Sequence, residues 1–329
     1  MRNRRIMKIG WIGVRGYGRR FWDAVKRVPG YKITACLHLD SEVSRAAARV
    51  MGCKPFFNQD DFFRLGGFDG VVLTVPNEFH FHYGMKALNA GKHVLVEKPL
   101  ANTLIQAKKM VKSARSKSLV LLTGHNYRKS GFIVKMKAEI DKGSIGKVVA
   151  AEFNMSHGGG MKFGPDKWRF HKDKCPGGPL NMLGTHLIDT ANYFFGKVDR
   201  AQGVVKKLYA STTAQDMALI QLEYRSGVVA NITTLYNSVS TEFINIYGTD
   251  GALRFNRWPK VALWFQPKDA GCECARYRRL AFSDNNTARE IFEDYLRLFR
   301  GEKGISSNAE DALAVVEVME KVLKGQRER

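Results

Sequence analysis

The sequence contains no run of about 18 apolar residues, the length that a membrane-spanning helix requires. Its start, Met1 to Met7, carries charges but no apolar segment of the kind found in a secretory signal. We therefore expect no membrane association and no export, and we predict a cytoplasmic location.

Cysteine is scarce, with five residues at positions 36, 53, 175, 272 and 274, and no two of them form a C-x-x-C pair. Only Cys272-Glu-Cys274 is closely spaced, which is weak evidence for metal or disulfide chemistry without a second pair of ligands. We predict free thiols in a reducing compartment and no metal site.

Acidic residues are also few, with 31 Asp and Glu against 53 Lys and Arg, so the formal net charge is +22. Most of this excess lies before Arg128. Such a field attracts nucleic acids, anionic cofactors and phosphorylated substrates alike. The basic residues occur singly or in pairs without a recognition motif, so we predict no nucleic-acid binding.

The length of 329 residues favours two domains. In the first part, apolar strands alternate with helices, which predicts a Rossmann-type, doubly wound parallel sheet over residues 1–128. The first βαβ unit runs from Lys8 to Leu39, and Ser41 is expected to cap the next helix, which ends before Gly52.

After Arg128 the pattern changes to long alternating strands, with hairpins predicted over 217–236 and 243–255. Residues 129–329 are therefore expected to form an α+β domain with a large open, mainly antiparallel sheet. Strands Ala218 to Tyr224 and Val228 to Leu235 carry apolar residues on both faces. Because an uncovered apolar face usually packs against a partner, we predict a homodimer or homotetramer.

The segment Gly13-Val-Arg-Gly-Tyr-Gly18 follows the first predicted strand and opens a helix. At such a turn, backbone N–H groups and the helix dipole can hold a pyrophosphate. The glycine pattern is imperfect, because Arg15 occupies the middle glycine position of G-x-G-x-x-G. A tight turn that binds nothing is the alternative interpretation.

Two longer segments are more specific: Thr74-Val-Pro-Asn-Glu-Phe-His80 and Ala87-Leu-Asn-Ala-Gly-Lys-His-Val-Leu-Val-Glu-Lys98-Pro-Leu-Ala101. They resemble the Gfo/Idh/MocA family of NAD(P)-dependent oxidoreductases. Gly177-Gly-Pro-Leu-Asn-Met-Leu-Gly-Thr-His186-Leu-Ile-Asp189 is similar to a second block of that family. Together with Gly124-His-Asn-Tyr-Arg128 and Trp168-Arg169, the resemblance spans essentially the whole chain.

The resemblance implies hydride transfer between NAD or NADP and a secondary alcohol of a sugar, cyclitol or sugar derivative. It implies that Lys98 hydrogen-bonds the reacting hydroxyl, with a cis bond to Pro99, and that His186 takes the hydroxyl proton. Two other functions stay open: a sensor or regulator that binds the cofactor without turnover, and a redox-neutral glycoside-processing enzyme that retains its NAD.

The resemblance and the glycine turn also imply which residues bind the two ligands. Substrate is expected to meet Tyr127, Trp168, Arg169 and Asp189, although Asp189 could instead serve the structure alone. The cofactor is expected to meet Gly13, Arg15, Gly16, Tyr17, Gly18, His38, Thr74, Pro76, Asn77, His80, Glu97 and Lys98.

Three positions depart from the family pattern. Arg15 replaces a glycine, His38 stands where an acidic residue is expected with Asp40 two residues later, and Met182 replaces an aspartate. Because Arg15 and His38 could contact a 2′-phosphate, we predict NADP over NAD. Basic residues within 156–174 indicate an anionic substrate or, equally, a solvated surface.

Overall fold

The structure is a computed structural model that describes residues 5–16, 18–268, 277–283, 285–303 and 307–325. Tyr17, Cys272 and Cys274 lie outside the described residues. The chain divides into two compact units, Met1–Asn126 with Asn286–Leu313, and Tyr127–Asn285 with Ala314–Arg329. We call them the first and the second unit.

The first unit is built on a six-stranded parallel sheet with the strand order β3-β2-β1-β4-β5-β6, which confirms the predicted Rossmann-type fold. Val71, Val72 and Leu73 are fully buried, as expected for a central strand covered on both faces. Its elements up to β6 are β1 (Met7–Ile12), α1 (Gly18–Val25), β2 (Tyr31–Leu37), α2 (Ser41–Met51), β3 (Lys54–Phe56), α3 (Gln59–Leu65), β4 (Gly70–Leu73), α4 (His80–Asn89), β5 (His93–Val96), α5 (Leu104–Ser116) and β6 (Leu121–Thr123).

Helix α2 shows how local sequence sets an element's ends. The side chain of Asp40 accepts hydrogen bonds from the backbone N–H groups of Glu42 and Val43, so Asp40 caps the helix. Our expectation that Ser41 is the cap was wrong, because Ser41 is already the first helical residue. Gly52 ends the helix in the left-handed conformation, as predicted.

The second unit contains an eight-stranded sheet with the order β14-β13-β12-β11-β7-β10-β9-β8, in which only β7 and β10 pair in parallel. This confirms a mainly antiparallel sheet. The remaining elements of the chain are α6 (Gly131–Asp141), β7 (Val148–Ser156), α7 (Thr185–Phe195), β8 (Val198–Lys206), β9 (Met217–Tyr224), β10 (Val229–Leu235), β11 (Thr241–Gly248), β12 (Gly251–Asn256), β13 (Ala262–Pro267), β14 (Arg278–Arg279), α8 (Thr287–Phe299) and α9 (Ala309–Lys324).

Helix α8 packs in the first unit, although the sequence analysis assigned every residue after Arg128 to the second domain. The ring of Phe292 lies 5.9 Å from that of Trp11 and 5.6 Å from that of Phe21. Tyr295 and Ile291 are fully buried in the same cluster. The apolar stripe of α8 therefore completes the core beside β1 and α1.

The two faces of the eight-stranded sheet differ. Ala218, Ile220 and Leu222 of β9 are buried in a core shared with α7 and the second half of α9. The alternate residues include Leu219, which is 43% exposed, and Gln221, whose amide oxygen accepts a hydrogen bond from Gln202. The second face is thus partly polar, and less apolar than the sequence analysis expected.

Among the described residues, none of the helices is both long and apolar enough to cross a membrane.

Candidate active site

The glycine turn lies between β1 and α1, at the point where the strand order of the first sheet reverses. Gly13 has a φ of +98°, and a Cβ atom there would lie 2.5 Å from the backbone of Thr74. The Thr74 hydroxyl donates to the Gly13 carbonyl at 2.5 Å and accepts from the Trp11 indole at 3.0 Å. Thr74 therefore fixes the turn, and its hydroxyl is already engaged within the protein.

The remaining glycines of the turn have opposite surroundings. A Cβ atom on Gly18 would meet the Gly13 carbonyl at 2.4 Å, whereas one on Gly16 would have no neighbour within 4 Å. The turn is thus tightly packed underneath and open at Gly16, beside the N-terminus of α1. The turn thus exposes its backbone at the N-terminus of a helix, at the point where the strand order reverses. Such a place can bind the pyrophosphate of a dinucleotide.

Arg15, His38 and Asp40 meet at the end of β2. The Arg15 guanidinium lies 4.0 Å from the Asp40 carboxylate, and the backbone N–H of Asp40 donates to Nδ1 of His38 at 3.0 Å. Hydrogen bonds from the backbone of Val43 and Glu42, together with Arg15, lower the pKa of Asp40. Asp40 therefore serves first as the cap of α2, and Arg15 and His38 are its neighbours.

His80 holds the segment that carries Lys98. It is fully buried at the start of α4, with its ring nitrogens 2.7 Å from the Pro99 carbonyl and 3.0 Å from the Val75 carbonyl. Burial lowers its pKa to about 4, so the ring is neutral near pH 7 and donates from one nitrogen. His80 thus ties the loop after β5 to the loop after β4, and the Lys98–Pro99 bond is cis, as the resemblance implies.

Lys98 and Glu97 follow directly after β5, at the same carboxyl edge as the glycine turn. A Glu97 carboxylate oxygen accepts from the backbone N–H of Lys98 at 3.2 Å. The other carboxylate oxygen of Glu97 packs against Gly124, where an added Cβ atom would lie only 2.9 Å from this oxygen. Pro76 and the buried Asn77 lie in the loop after β4. The described cofactor residues predicted for the first unit therefore come together at the ends of β1, β2, β4 and β5.

Asp189 is the residue for which the sequence left two roles open. It is fully buried on α7, and its two carboxylate oxygens accept from Nε of Arg128 at 2.8 Å and from Nη2 at 2.5 Å. The Arg128 side chain is only 6% exposed. A carboxylate whose two oxygens are both bound to a buried guanidinium is not available to substrate, so the structure favours the structural role over the predicted substrate contact.

Tyr127 and His186 lie close together in the second unit, with ring centroids 5.9 Å apart. The Tyr127 hydroxyl donates to Glu242 at 2.8 Å, and Arg257 forms a two-point ion pair with the same carboxylate at 2.5 and 2.8 Å. Burial and Glu242 raise the pKa of Tyr127 well above its usual value. Tyr127 is therefore a neutral phenol whose position is fixed by Glu242, and the His186 imidazole lies next to its ring.

Met182 lies one helical turn before His186 and packs with buried Cys175 and Tyr236, with Trp168 and Phe163 around them. Trp168 also stacks with the Arg169 guanidinium, 4.4 Å from its ring. Of the predicted substrate residues, Trp168 and Arg169 thus adjoin the Met182 cluster, and Tyr127 adjoins His186. At the position of the family's aspartate, this chain therefore has a methionine that makes apolar contacts.

Two further candidates were missed by the sequence analysis. Tyr236 follows β10 and His157 follows β7, and these are the two parallel neighbours, so both residues lie at the same edge of the sheet. Their ring centroids are 5.2 Å apart. The signal was the alternation of Ala151, Phe153 and Met155 with polar residues, which predicts the overlooked strand β7.

The arrangement defines a class of protein: a nucleotide-binding oxidoreductase with a Rossmann domain and a separate α+β domain. Residues 7–125 match the family description "Oxidoreductase family, NAD-binding Rossmann fold", and residues 133–254 match "GFO/IDH/MocA C-terminal domain". The chain belongs to the Gfo/Idh/MocA family, and its first unit is an NAD-binding Rossmann domain.

Curated relatives include 1,5-anhydro-D-fructose reductase of Ensifer adhaerens, which is 28% identical over 249 residues, covering 74% of both chains. Glucose-6-phosphate 3-dehydrogenase of Bacillus subtilis is 26% identical over 243 residues, covering 71% of this chain and 69% of the relative. The match to levoglucosan dehydrogenase of Pseudarthrobacter phenanthrenivorans is 25% identical and spans about half of that relative, 55%.

The fold is shared with solved structures of low sequence identity. A levoglucosan dehydrogenase in complex with NADH has a TM-score of 0.90 at 20% identity, covering 98% of both chains. An oxidoreductase from Agrobacterium radiobacter in complex with NAD+, L-tartaric acid and magnesium has a TM-score of 0.84 at 20% identity, covering 98% and 97%.

Proposed function

We propose that this protein is an NAD(P)-dependent dehydrogenase or reductase that interconverts a secondary alcohol and a ketone on a sugar, cyclitol or sugar derivative. The observation that carries the proposal is the shared edge of the first sheet, where Lys98 follows β5 at the same carboxyl edge as the glycine turn after β1. Open parallel sheets bind their ligands at this edge. The curated relatives support the sugar class, since those named above act on sugars or sugar phosphates.

A bound nicotinamide supplies the group that accepts or donates hydride. In the oxidation direction, the carbinol carbon would lose hydride and the hydroxyl oxygen would lose its proton, so that a C=O bond forms. We assign that proton to His186, because an imidazole in its neutral form can accept a proton, and we assign to Lys98 a hydrogen bond that stabilises negative charge on the hydroxyl oxygen. Both assignments rest on the family motifs and on the way each residue is held within its own unit.

The second unit offers surfaces that suit a sugar. Trp168 and the buried Tyr236 pack around Met182, the His157 ring lies 5.2 Å from that of Tyr236, and Arg169 supplies a cation beside Trp168. Substrate contact by Trp168, Arg169, His157 and Tyr236 is our proposal. Lys167 of the same loop supports an anionic substrate less well, because it already pairs with Asp166 at 2.5 Å.

Cofactor choice is a finer proposal. The Asp40 carboxylate caps α2, and this use competes with a hydrogen bond to the ribose 2′-hydroxyl. Arg15 and His38 lie beside Asp40. We propose that these two side chains accommodate a 2′-phosphate and that NADP binds more tightly than NAD. Calorimetric titration of both nucleotides tests this. Tighter NAD binding, or an Arg15→Gly variant with unchanged NADP affinity, contradicts it.

A second function is favoured by one observation. Met182 fills the position of a carboxylate with an apolar contact to Tyr236 and Cys175, so the Lys–Asp–His set of the family is incomplete. This supports a cofactor-binding sensor without turnover, or a redox-neutral enzyme that regenerates its own cofactor.

The experiment that separates these functions is nicotinamide absorbance, recorded with NAD and NADP against a panel of polyols, sugars and sugar phosphates. Steady accumulation of reduced cofactor with one substrate class is the expected result. Product formation without net cofactor change identifies the redox-neutral enzyme, and nucleotide binding with neither change identifies the sensor.

We also propose a homodimer or homotetramer that associates through the second face of the eight-stranded sheet, and a cytoplasmic location. Exposed Leu219 on β9, together with the partly exposed Tyr247 on β11 and Trp264 on β13 of the same sheet, supports such an interface. Light scattering at working concentration tests it, and a monomer mass contradicts it.

A further inference from the structure

Residues 207–216, between β8 and β9 of the second unit, form a loop that is held by one buried carboxylate. Asp216 is fully buried, and its Oδ1 accepts from the backbone N–H of Leu208 at 2.8 Å. Its Oδ2 accepts from the backbone N–H groups of Tyr209 and Ala210, each at 2.7 Å. Although burial opposes ionisation, these hydrogen bonds lower the pKa of Asp216, so the side chain is a carboxylate near pH 7. The carboxylate therefore fixes the first part of this 207–216 loop.

The backbone of Asp216 ties the same loop to its surroundings. Its N–H donates to the carbonyl of Lys206, the last residue of β8, at 3.0 Å. Its carbonyl accepts from the backbone N–H of Tyr236 at 2.9 Å. The loop is thus fastened to one of the residues for which we propose substrate contact.

Thr213, in the second part of the loop, contacts the segment 168–172, which begins with the proposed substrate residues. The Thr213 hydroxyl donates to the Phe170 carbonyl at 3.1 Å and accepts from the backbone N–H of Lys172 at 3.0 Å. The backbone N–H groups of Thr213 and Ala214 donate to the same Phe170 carbonyl at 2.9 and 3.1 Å. Four hydrogen bonds therefore join the loop to this segment.

Gln215 makes a further contact, nearer to α7. Its side-chain oxygen accepts from the backbone N–H of Gly177 at 3.1 Å. A Cβ atom on Gly178, which has a φ of +52°, would lie 1.9 Å from the Gln215 carbonyl oxygen. The two chain segments approach each other so closely that only glycine fits at position 178.

The segment that carries Trp168 and Arg169 has little structure of its own to hold it. It contains a single 3₁₀ turn, Trp168–Phe170, and none of the three residues is buried. Such short turns have poor hydrogen-bond geometry and are not stable alone. The position of the two side chains therefore depends on the hydrogen bonds that the segment makes with the 207–216 loop.

We propose that Thr213 is a positioning residue for substrate binding, which holds Trp168 and Arg169 where they meet the sugar, and that Asp216 anchors the loop from which Thr213 acts. This inference rests on the proposed function, because the substrate contacts of Trp168 and Arg169 belong to it. Thr213 itself touches neither substrate nor cofactor. Its loss therefore raises the KM for substrate and leaves kcat nearly unchanged, because other residues act on the reacting hydroxyl.

Hydrogen exchange of the full-length protein tests the positioning without any need for activity. Thr213→Val keeps the shape of an exposed side chain but removes its hydroxyl, so the Lys172 amide loses its acceptor. In peptic peptides that cover 165–178, this amide should exchange several-fold faster than in the parent. Thr213→Ser keeps the hydroxyl and should restore the parental rate, and Ser211→Ala, at an exposed position of the same loop, is the matched control. Parental exchange in Thr213→Val overturns the proposal.

Asp216→Asn tests the anchor, because it replaces one accepting oxygen by an NH₂ group. Exchange should become faster in 207–216 and also in 165–178. A folded Asp216→Asn protein with parental exchange in 165–178 contradicts the anchoring role. If this variant does not fold, the exposed Thr213→Val still tests the contact.

Steady-state kinetics test the consequence for substrate, with every polyol, sugar or sugar phosphate of the absorbance panel that gives turnover as a probe. Thr213→Val should raise the KM about three- to tenfold, the effect of losing one or two hydrogen bonds, and should leave kcat and nucleotide affinity within about twofold of the parent. Thr213→Ser should restore the KM. A fold defect would instead lower the amount of active protein, and hence kcat, at an unchanged KM.

The outcomes separate the inference from the function on which it rests. An unchanged KM in Thr213→Val, together with faster exchange, overturns the link between the loop and the substrate. A parent protein that turns over no member of the panel counts against the proposed function, and hydrogen exchange still decides whether Thr213 positions the segment.

Discussion

The two units hold their candidate site residues in different ways. In the first unit, the residues lie in loops after parallel strands, and backbone carbonyls and glycines fix them, as in the contacts of His80 with Pro99 and Val75. In the second unit, ion pairs between side chains do this work, as in Arg128–Asp189 and Arg257–Glu242–Tyr127. The candidate residues of the NAD-binding unit are thus held mainly by backbone, and those proposed for substrate in the second unit by side-chain pairs.

This difference has a physical consequence. A binding site formed by backbone groups depends on a few glycines and turns, so it can bind the same ligand while the rest of the sequence changes. A pocket made from side-chain pairs changes with each substitution, and Met182 is an example in this chain. The predictions below test this contrast, from the largest expected effect to the smallest.

The largest effect is expected from the two proposed reaction residues. Lys98→Ala and His186→Ala should each lower kcat by about a thousandfold, equivalent to about 4 kcal/mol, because each removes a group that acts on the hydroxyl. Nucleotide affinity should stay within a few-fold of the parent. Steady-state kinetics and nucleotide titration measure both quantities, and near-parental turnover by either variant contradicts its role.

Breaking the buried ion pair should destabilise the second unit strongly. Asp189→Asn removes the charge opposite buried Arg128 and should lower the free energy of unfolding by about 3–5 kcal/mol. Asp199→Asn, at an exposed position on β8, is the matched control and should have little effect. Urea denaturation measures both, and equal stabilities would show that the pair is not structural.

His80 should make the stability of the first unit depend on pH. Its pKa is about 4 in the folded protein and about 6.5 in an unfolded chain, so the unfolded state binds more protons between these values. Stability should therefore fall as the pH drops from about 6.5 to 4, by roughly 3 kcal/mol.

A His80→Gln variant cannot titrate and should lose that part of the pH dependence. His82→Gln, an exposed position on the same helix, should keep the parental profile. The measurement is the free energy of unfolding from urea denaturation at several pH values. If it depends on pH in the same way in the parent and in His80→Gln, His80 does not have the assigned role.

The smallest effect concerns the cap of α2. Asp40→Ala should lower the denaturation midpoint slightly, because two backbone N–H groups lose their acceptor, whereas Ser41→Ala should leave it unchanged. The reverse ranking in thermal melts would restore Ser41 as the cap.

Sequence patterns predicted much of the fold, and the reasons are local. The hairpins predicted over 217–236 and 243–255 are observed as β9–β10 and β11–β12, because the alternation of apolar and polar residues marks each strand. The strand β7 was overlooked, although it is central to the second sheet. The placement of α8 in the first unit depends on contacts such as that of Phe292 with Trp11, 281 positions earlier, which no local pattern reveals.

The candidate site divides in the same way. The motifs around Lys98 and His186 were visible in the sequence, and so was the glycine turn. The bracing of Tyr127 by Glu242, the commitment of Asp189 to Arg128 and the pairing of Tyr236 with His157 all join residues far apart in the chain. Such contacts arise only when the sheet is assembled.

The central claim, hydride transfer dependent on Lys98 and His186, is tested most directly by isotope transfer. Reduced nicotinamide nucleotides carrying deuterium on either face of C4 would be incubated with the ketone form of the substrate identified in the absorbance panel. We predict that one of the two labelled nucleotides delivers a single deuterium to the product alcohol, and that Lys98→Ala and His186→Ala deliver almost none. Product that forms without deuterium from either nucleotide would contradict the account.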